Sequence, residues 1–434
     1  MTRSDVEATL RNYKPADSSE GYPALPDTVI WPRYEGRSVG NLAQTAARML
    51  GGALGGGLPA LDPQLPLPCL EGVRRVIFLV MDAMGWLQLQ RVMAEDNDLV
   101  FHRLADQGTL IPITTTFLST TNSVLSSIWT ARPPVTHGLL AFEMYLREWL
   151  MAVEAISFSS THAKFEGVLE SWGFDPLTFL PVPSIAQILA PQGITSRIVI
   201  HQRFTRTPLS RMHFRGVEEI VGHSYASDFW VSLHQILGNH LDERLLLGGY
   251  WPAVDTLAHR FGPNDARGVA EVRSIGLLMQ ALFLDQLSAE EREGTLLLMT
   301  ADHGQIASHP KDAILIKDHP ELLSLLRHRP VGESRVPFFH VRTGMVDDAW
   351  SYLNETMSSQ FVFMTRDQLL ESRLLGPGPV YDEVPHRLGD IVGIAKGSAF
   401  IAVDDEDAAR LAGRHGGLTP EEMLVPLLAV RLDG

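Results

Sequence analysis

The sequence predicts an α/β fold: a doubly wound, mostly parallel central sheet with helices on both faces and an inserted cap region. Two observations predict it. Apolar, β-branched runs such as Val76–Met81 are typical of strands buried on both faces of a parallel sheet. Similar runs occur in RLLLGGYW (244–251) and GTLLLMT (294–300), and helical patterns separate the three runs, which favours parallel connections.

Size and composition indicate a globular protein with a large core. The chain has 434 residues, of which 45% are apolar and 20% charged, values typical of globular proteins. Its formal charge of −15 disfavours a nucleic acid polymer as partner, because phosphate backbones are bound by Lys and Arg. Cys69 is the single cysteine, which excludes an intramolecular disulfide. No apolar signal core or membrane-spanning run is present, so we expect no membrane contact and a cytoplasmic location.

Residues 1–72 are predicted to form an N-terminal extension with one helix, packed on the core. The stretch SVGNLAQTAARML (38–50) has apolar residues at helical spacing. The Gly- and Pro-rich stretch that follows it (51–68) is typical of a connector. Residues 73–434 form the main domain, and residues 141–241, rich in aromatic residues, His and Ser, are predicted to be partly sheet and partly a cap over the active edge.

Three aspartates are expected to meet at one edge of the sheet. Asp82 and Asp302 come at the ends of two apolar runs, and Asp255 comes soon after a third. Ligands of open α/β sheets bind beyond the carboxyl ends of the strands. A carboxylate there can hold a cation, or it can simply cap the next helix. The sequence near Asp82 does not decide between the two.

Two histidines accompany these aspartates. Asp255 and His259 are four residues apart, so one helical turn would place them on the same face, as cation ligands or as a surface ion pair. Asp302 and His303 precede Gly304, where the chain can turn so that both face a metal. The alternative for this second pair is a helix-capping Asp beside a surface His.

A third candidate histidine, His415, lies in the loop GRHGG before a helix start. Thr419 is the predicted cap of that helix, Pro420 its first residue and Glu422 the capping-box partner. The loop holds His415 near the end of the chain. Taken alone, His415 also fits an exposed residue without a function.

The candidate nucleophile is a threonine at a helix start. In the segment FLSTTNSVLSSIWTARPPVTHG (117–138), the helical pattern begins after Ser119 and places Thr120 and Thr121 at a helix N-terminus, which favours phosphate binding. A hydroxyl is a weak nucleophile until a base or a metal activates it. A metal is the natural route, because no His is beside these threonines in the sequence. The alternative is a loop that only caps the helix. Together, the aspartates, histidines and threonine form the ligand inventory of a two-metal site.

The order and spacing of five motifs resemble the alkaline phosphatase superfamily and, within it, the type I phosphodiesterase/nucleotide pyrophosphatase family. The motifs are VIFLVMDAMGW, FLSTTNSVLSSIWTARPPVTHG, YWPAVDTLAHRFGP, LMTADHGQ and GRHGGLTPEEMLVP. The resemblance extends over about residues 73–433 and implies an alkaline-phosphatase-like catalytic domain. It implies that one metal is held by Asp82, Thr121, Asp302 and His303, and a second by Asp255, His259 and His415.

Thr121 rather than Thr120 is the nucleophile by this resemblance, because the family's nucleophile lies nine residues before a Thr-Gly pair. That pair here is Thr130-Ala131. The family's pyrophosphatases also often have an Asn after the HGL motif that helps bind phosphate, where this chain has Ala141 and Phe142. Asn122, next to Thr121, is the candidate replacement for substrate binding.

These residues predict a two-metal hydrolase that cleaves phosphodiester or pyrophosphate bonds through a phospho-threonine intermediate. Mixed His and Asp ligands favour zinc, with manganese also possible. The expected partner is a small phosphate ester, which includes nucleotides, and the oligomeric state stays open. One alternative is a phosphomonoesterase of the same superfamily, which would need an extra Arg or Lys that the sequence does not identify. The other alternative is a non-catalytic domain of this fold in a multi-protein assembly.

Overall fold

The structure, a computed structural model, describes residues 2–15, 23–161 and 168–434. Its strands are, in chain order, β1 (Arg75–Met81), β2 (Thr109–Thr114), β3 (Glu143–Leu146), β4 (Met151–Glu154), β5 (Ser159–Ser160), β6 (Thr195–His201), β7 (Glu219–His223), β8 (Leu245–Trp251), β9 (Thr295–Thr300), β10 (Ile306–Ala307), β11 (Ala313–Leu315), β12 (Val331–Gly332), β13 (Pro337–Phe339), β14 (Phe361–Thr365), β15 (Ile391–Ala395), β16 (Phe400–Ala402), β17 (Gly413–Arg414) and β18 (Leu424–Arg431).

The α-helices are α1 (Arg3–Asn12), α2 (Leu42–Met49), α3 (Trp86–Glu95), α4 (Val100–Gln107), α5 (Thr121–Thr130), α6 (Pro134–His137), α7 (Val168–Ser171), α8 (Pro176–Phe179), α9 (Ile185–Leu189), α10 (Pro208–His213), α11 (Ala226–Asn239), α12 (Ala253–Phe261), α13 (Ala266–Leu282), α14 (Ala289–Arg292), α15 (Pro320–Leu325), α16 (Val346–Met357), α17 (Arg366–Glu371), α18 (Val384–Leu388), α19 (Asp405–Arg410) and α20 (Pro420–Met423). Short 3-10 segments add single turns at Val39–Asn41, Ala190–Gln192, Gln202–Phe204, Leu284–Gln286, Pro310–Asp312 and Ile316–Asp318.

A mixed seven-stranded sheet forms the centre of the molecule, in the order β2-β18-β9-β1-β8-β6-β7. Strands β9, β1, β8, β6 and β7 pair in parallel, whereas β18 runs antiparallel to both β2 and β9. All residues of β1 and β9 are buried, as expected for strands covered on both faces. The prediction of a mostly parallel α/β sheet is therefore confirmed, with β18 as the antiparallel exception.

Helices cover both faces of this sheet, and two adjacent glycines of β8 show where they pack. A Cβ on Gly248 would lie 2.7 Å from the ring of Trp129 in α5, whereas one on Gly249 would lie 3.0 Å from Phe229 in α11. Neighbouring strand residues point to opposite faces, so α5 and α11 lie on opposite sides. The close approach of both helices leaves no room for a side chain at either position.

The segment before residue 73 contains two α-helices, so the prediction of one helix was wrong. Helix α2 lies where the apolar spacing predicted it, and α1 was missed. Of the ten residues of α1, Val6 and Leu10 are the buried apolar ones, and two such residues are too few to give a clear helical period. Both helices share the main hydrophobic core with the central sheet. The predicted division of the chain at residue 73 stays a prediction.

A second seven-stranded sheet, antiparallel throughout, has the order β14-β15-β13-β12-β3-β4-β5. The predicted cap region, 141–241, supplies β3 to β5 of this sheet but also β6 and β7 of the central one. The other four strands come from residues 331–395, which the sequence analysis did not single out. Those strands have two to five residues each, which is too short for a readable period. No helix in the described part of the chain is long and apolar enough to cross a membrane.

Candidate metal centre and active site

Three neighbouring strands of the central sheet deliver the acidic residues to one edge. Strand β1 lies between β9 and β8, so Asp82, Asp302 and the start of α12 with Asp255 follow three adjacent strand ends. The Asp82 N–H continues the pairing by donating to the Trp251 carbonyl at 2.9 Å. Parallel strands present their carboxyl ends at the same edge, and for this reason residues that are far apart in the chain meet here.

The first cluster brings together Asp82, Asp302, His303 and Thr121. Ligand atoms of the two aspartates and His303 all lie within 4.8 Å of one another. His303 Nε2 lies 3.7 Å from Asp82 Oδ1 and 3.5 Å from Asp302 Oδ2. Thr121 Oγ1 lies 3.1 Å from the same Nε2. This contact could not be predicted from sequence, because 182 residues separate His303 from Thr121.

The second cluster is built on α12 and on the loop before α20. Asp255 Oδ1 lies 3.3 Å from His259 Nε2 and 4.0 Å from His415 Nε2. The imidazole rings of His303 and His415 stack with centroids 3.9 Å apart, so the two clusters are contiguous. Ligand atoms of Asp255, His303 and His415 also lie within 4.8 Å of one another. The structure thus brings all seven predicted ligand residues together.

Backbone carbonyls fix the orientation of the three imidazoles. The Nδ1 atoms of His259, His303 and His415 lie 2.8, 3.2 and 3.0 Å from the carbonyl oxygens of Gly413, Gly304 and Ser119. A carbonyl only accepts, so each Nδ1 carries the proton. The Nε2 lone pair of each ring is then free to bind a cation, an arrangement typical of histidines that bind metals.

Two side chains and two backbone N–H groups hold the three carboxylates in place. The Tyr250 hydroxyl donates to Asp82 Oδ2. The backbone N–H groups of Ala83 and His303 donate to Asp302 Oδ1 at 3.1 and 2.9 Å. Gln305 Nε2 donates to Asp255 Oδ1 at 2.5 Å. Tyr250 and Gln305 are not among the predicted site residues, although both lie inside the motifs YWPAVDTLAH and LMTADHGQ.

The electrostatics of the first cluster suit a cation. Asp82 Oδ1 and Asp302 Oδ2 are buried and have no hydrogen-bond partner among the described residues. Burial, and then the charges of Asp302 and Asp255, raise the pKa of Asp82 well above its ordinary value. Unpaired buried carboxylates are costly unless a positive charge compensates them. The donor set of carboxylate, imidazole and hydroxyl groups fits a divalent metal of the zinc or manganese type.

The second cluster suits a metal for a different reason. Burial, and then the neighbouring imidazoles of His303 and His259, lower the pKa of His415 well below its ordinary value. A neutral imidazole is the form that ligates metals. The ring is therefore available as a ligand at neutral pH.

The predicted substrate contact of Asn122 stays a prediction. Its side chain is fully buried, and its amide donates to the Ala141 carbonyl at 2.6 Å. This hydrogen bond ties the start of α5 to the segment that follows α6.

A cavity of about 690 Å³ opens beside both clusters. Thr121, Asp255, His259 and His415 lie on its floor, and residues of the second sheet form much of its wall. Glu333 is one of the wall residues, and burial raises the pKa of its carboxyl to about 7.

The chain has an α/β fold of the alkaline phosphatase type, with groups of candidate metal ligands at one edge of its central sheet. The sequence model of the type I phosphodiesterase/nucleotide pyrophosphatase family matches residues 76–418. The chain therefore belongs to this family of phosphodiesterase and pyrophosphatase hydrolases. The predicted family and superfamily are confirmed.

Solved structures share the fold at low sequence identity. An inactive form of murine ectonucleotide pyrophosphatase/phosphodiesterase 5 in complex with AMP superposes with a TM-score of 0.61 and 16% identity, covering 82% of this chain and 88% of that one. Phosphonoacetate hydrolase from Sinorhizobium meliloti 1021, in complex with phosphonoformate, gives a TM-score of 0.59 and 17% identity, covering 82% and 90%. A search of curated protein sequences gives no significant match.

Proposed function

We propose that this chain is a two-metal hydrolase that cleaves phosphodiester or pyrophosphate bonds through a phospho-threonine intermediate. The observation that carries the proposal is the position of Thr121. Its hydroxyl belongs to the first cluster, 3.1 Å from His303 Nε2, and Thr121 lines the cavity together with Asp255, His259 and His415 of the second cluster. A substrate bound in the cavity could therefore contact the Thr121 hydroxyl directly.

Asp82, Thr121, Asp302 and His303 would hold one ion, and Asp255, His259 and His415 the other. Two divalent ions there would activate the hydroxyl and stabilise the charge on the attacking and leaving oxygens. The ligand chemistry favours zinc, and manganese is the second candidate.

The chain's own groups perform the covalent chemistry. Thr121 Oγ1 forms a bond to phosphorus while the bond to the leaving oxygen breaks, and the hydroxyl proton is lost to the leaving group or to solvent. The first turn of α5 presents backbone N–H groups and the positive end of the helix dipole to the phosphoryl oxygens. Water then cleaves the Thr121–phosphate bond, which releases the second product and restores the hydroxyl.

Small phosphate esters are the substrate class that fits the cavity. The AMP in the murine relative supports nucleotides as candidates, and the phosphonoformate in the bacterial one supports small phosphonates for the comparison panel. The experiment is a rate comparison of aryl phosphodiester, aryl phosphomonoester and dinucleotide substrates with the metal-free protein, with zinc and with manganese. We expect metal-dependent turnover that is fastest with diesters.

Two further measurements test the parts of the proposal separately. Metal analysis should give two ions per chain. Peptide mapping of enzyme quenched in acid during turnover should find a phosphoryl group on Thr121. A protein that never takes up two ions and hydrolyses none of the substrates would favour the non-catalytic alternative, and faster turnover of monoesters would favour the phosphomonoesterase.

A further inference from the structure

Glu333 lies in the cavity wall, on a turn of the second sheet. The turn joins β12 to β13 and is closed by two backbone hydrogen bonds of 3.0 Å, from Glu333 N to the Val336 carbonyl and from Val336 N to the Glu333 carbonyl. Gly332, just before it, has a φ of +99°, which a residue with a side chain rarely adopts. The turn therefore sets the direction in which the Glu333 side chain enters the cavity.

Contacts of this side chain place its carboxyl among the segments that carry the active site. Its stem packs against Gly416, next to His415, where a Cβ would lie 2.8 Å from Glu333 Cγ. Its Oε1 accepts from the Phe142 N–H at 2.9 Å. The hydroxyl of Thr120 is near enough to favour the ionised carboxyl, which lowers the pKa of Glu333 and opposes the effect of burial. Glu333 is thus held beside the residues that adjoin Thr121 and His415.

Within residues 2–15, 23–161 and 168–434, no Lys, Arg or His side chain forms an ion pair with Glu333. The charge of Glu333 affects the pKa of the Arg414 guanidinium. Arg414, however, donates to the carbonyls of Asp407 and Ala408 and not to Glu333. Glu143 and Glu422 add like charge to the burial that raises the pKa of Glu333. Glu333 is only partly buried by its neighbours, and it lines the cavity.

We propose that Glu333 is a specificity-determining residue that faces the phosphoryl group of the substrate and selects groups with one negative charge over phosphomonoesters, which carry two. This inference rests on the proposed function. An uncompensated carboxylate repels the second charge of a monoester. A diester, or the inner phosphorus of a pyrophosphate, carries one charge and is repelled less.

The test is the variant Glu333→Gln, which removes the charge but keeps the size and an oxygen that can accept from the Phe142 N–H. Specificity constants, kcat/KM, are measured for an aryl phosphodiester and for the phosphomonoester of the same aryl alcohol, with saturating zinc or manganese, at about pH 8.5 so that Glu333 is ionised. We expect kcat/KM for the monoester to rise about tenfold or more and that for the diester to change less than about threefold.

Glu154→Gln is the matched control. Glu154 lines the same cavity, and its Oε2 accepts from the Ser157 hydroxyl at 3.3 Å. The Glu154→Gln substitution removes one negative charge from the same cavity and leaves the turn that carries Glu333 unchanged. The ratio of diester to monoester kcat/KM should be unchanged in this variant, which separates a local effect from one of net charge.

Each result has a defined meaning. If the parent protein hydrolyses neither ester with metal, the proposed function fails. Suppose that the parent hydrolyses the diester but Glu333→Gln changes the ratio of diester to monoester kcat/KM by less than about threefold. The inference about Glu333 is then overturned while the proposed function stands. The same conclusion follows if Glu154→Gln lowers this ratio as much as Glu333→Gln does. Should Glu333→Gln not fold, Glu333→Ala carries the same test.

Discussion

The floor of the site, with its candidate metal ligands, and the wall above it are built in different ways. The floor consists of residues that follow the parallel strands β1, β8 and β9, together with Thr121 at the start of α5 and His415 in the loop before α20. The wall comes largely from turns of the antiparallel second sheet, including the turn with Glu333. The floor consists of residues from the family-like motifs, whereas most of the wall comes from segments outside them. If both proposals hold, the reaction and its specificity depend on separate parts of this fold.

The two regions are tied together by a buried ion pair. Arg335, two residues after Glu333, donates from Nε and Nη2 to both carboxylate oxygens of Glu422, at 2.6 and 2.9 Å. Both side chains are fully buried. Glu422 also caps α20 and accepts from the Gly417 N–H at 2.8 Å, two residues after His415. A change in the turn of the wall therefore reaches the loop that carries a metal ligand.

The largest expected effect is on the floor. Thr121→Ala removes the nucleophile but leaves the six Asp and His ligands, so kcat for an aryl phosphodiester should fall by about 10³-fold or more while both metals are still bound. Steady-state kinetics and metal analysis check this prediction. The adjacent Thr120→Ala, which keeps Oγ1 of Thr121, serves as the control and should retain far more activity. Equal losses in the two variants would remove Thr121 from its proposed role.

Removing the ion pair between Arg335 and Glu422, which joins the wall to the floor, should mainly lower the free energy of unfolding. Arg335→Met leaves the carboxylate of Glu422 buried and unpaired, a loss that costs about 3–5 kcal/mol in comparable proteins. The free energy of unfolding, from denaturant titration, measures it. Adding Glu422→Gln to Arg335→Met removes the stranded charge and should recover part of the loss. A double variant less stable than the single one would mean that Glu422 stabilises the loop mainly by capping.

Much of the floor could be predicted from sequence, because the carboxyl ends of parallel strands lie at one edge of the sheet. Asp82, Asp255 and Asp302 each follow an apolar run, and α5 begins close to where its pattern predicted. The wall could not be predicted, since β12 and β13 have two and three residues and pair with β3 and β15, which are distant in the chain. The proximity of His303 to Thr121 arises only from tertiary structure.

A smaller effect on the floor concerns residues that orient a ligand without binding metal. Gln305→Leu removes the hydrogen bond to Asp255 Oδ1, so affinity for one of the two ions should fall about 10- to 100-fold. Competition with a metal chelator, followed by metal analysis, measures it. Tyr250→Phe removes the equivalent support of Asp82 and should weaken the other ion instead. If both variants lose the same ion first, the division of ligands between the two clusters is wrong.

A last and small effect concerns Glu333 in the wall and the way in which stability depends on pH. Because the pKa of Glu333 in the folded protein is about 7, above its ordinary value near 4.5 in an unfolded chain, the folded state holds this proton more tightly. The contribution of Glu333 to stability is therefore fully present below about pH 4 and is lost as pH rises through about 7. Glu333→Gln has no such loss, so its stability relative to the parent should increase between about pH 5 and pH 8, by the order of 1 kcal/mol after allowance for solvent access. Denaturant titrations of the parent and of Glu333→Gln across that range measure the difference in stability. A difference that does not change with pH would mean that water reaches the carboxyl freely, and the wall would then lack the low-dielectric surroundings that make its charge matter to a substrate.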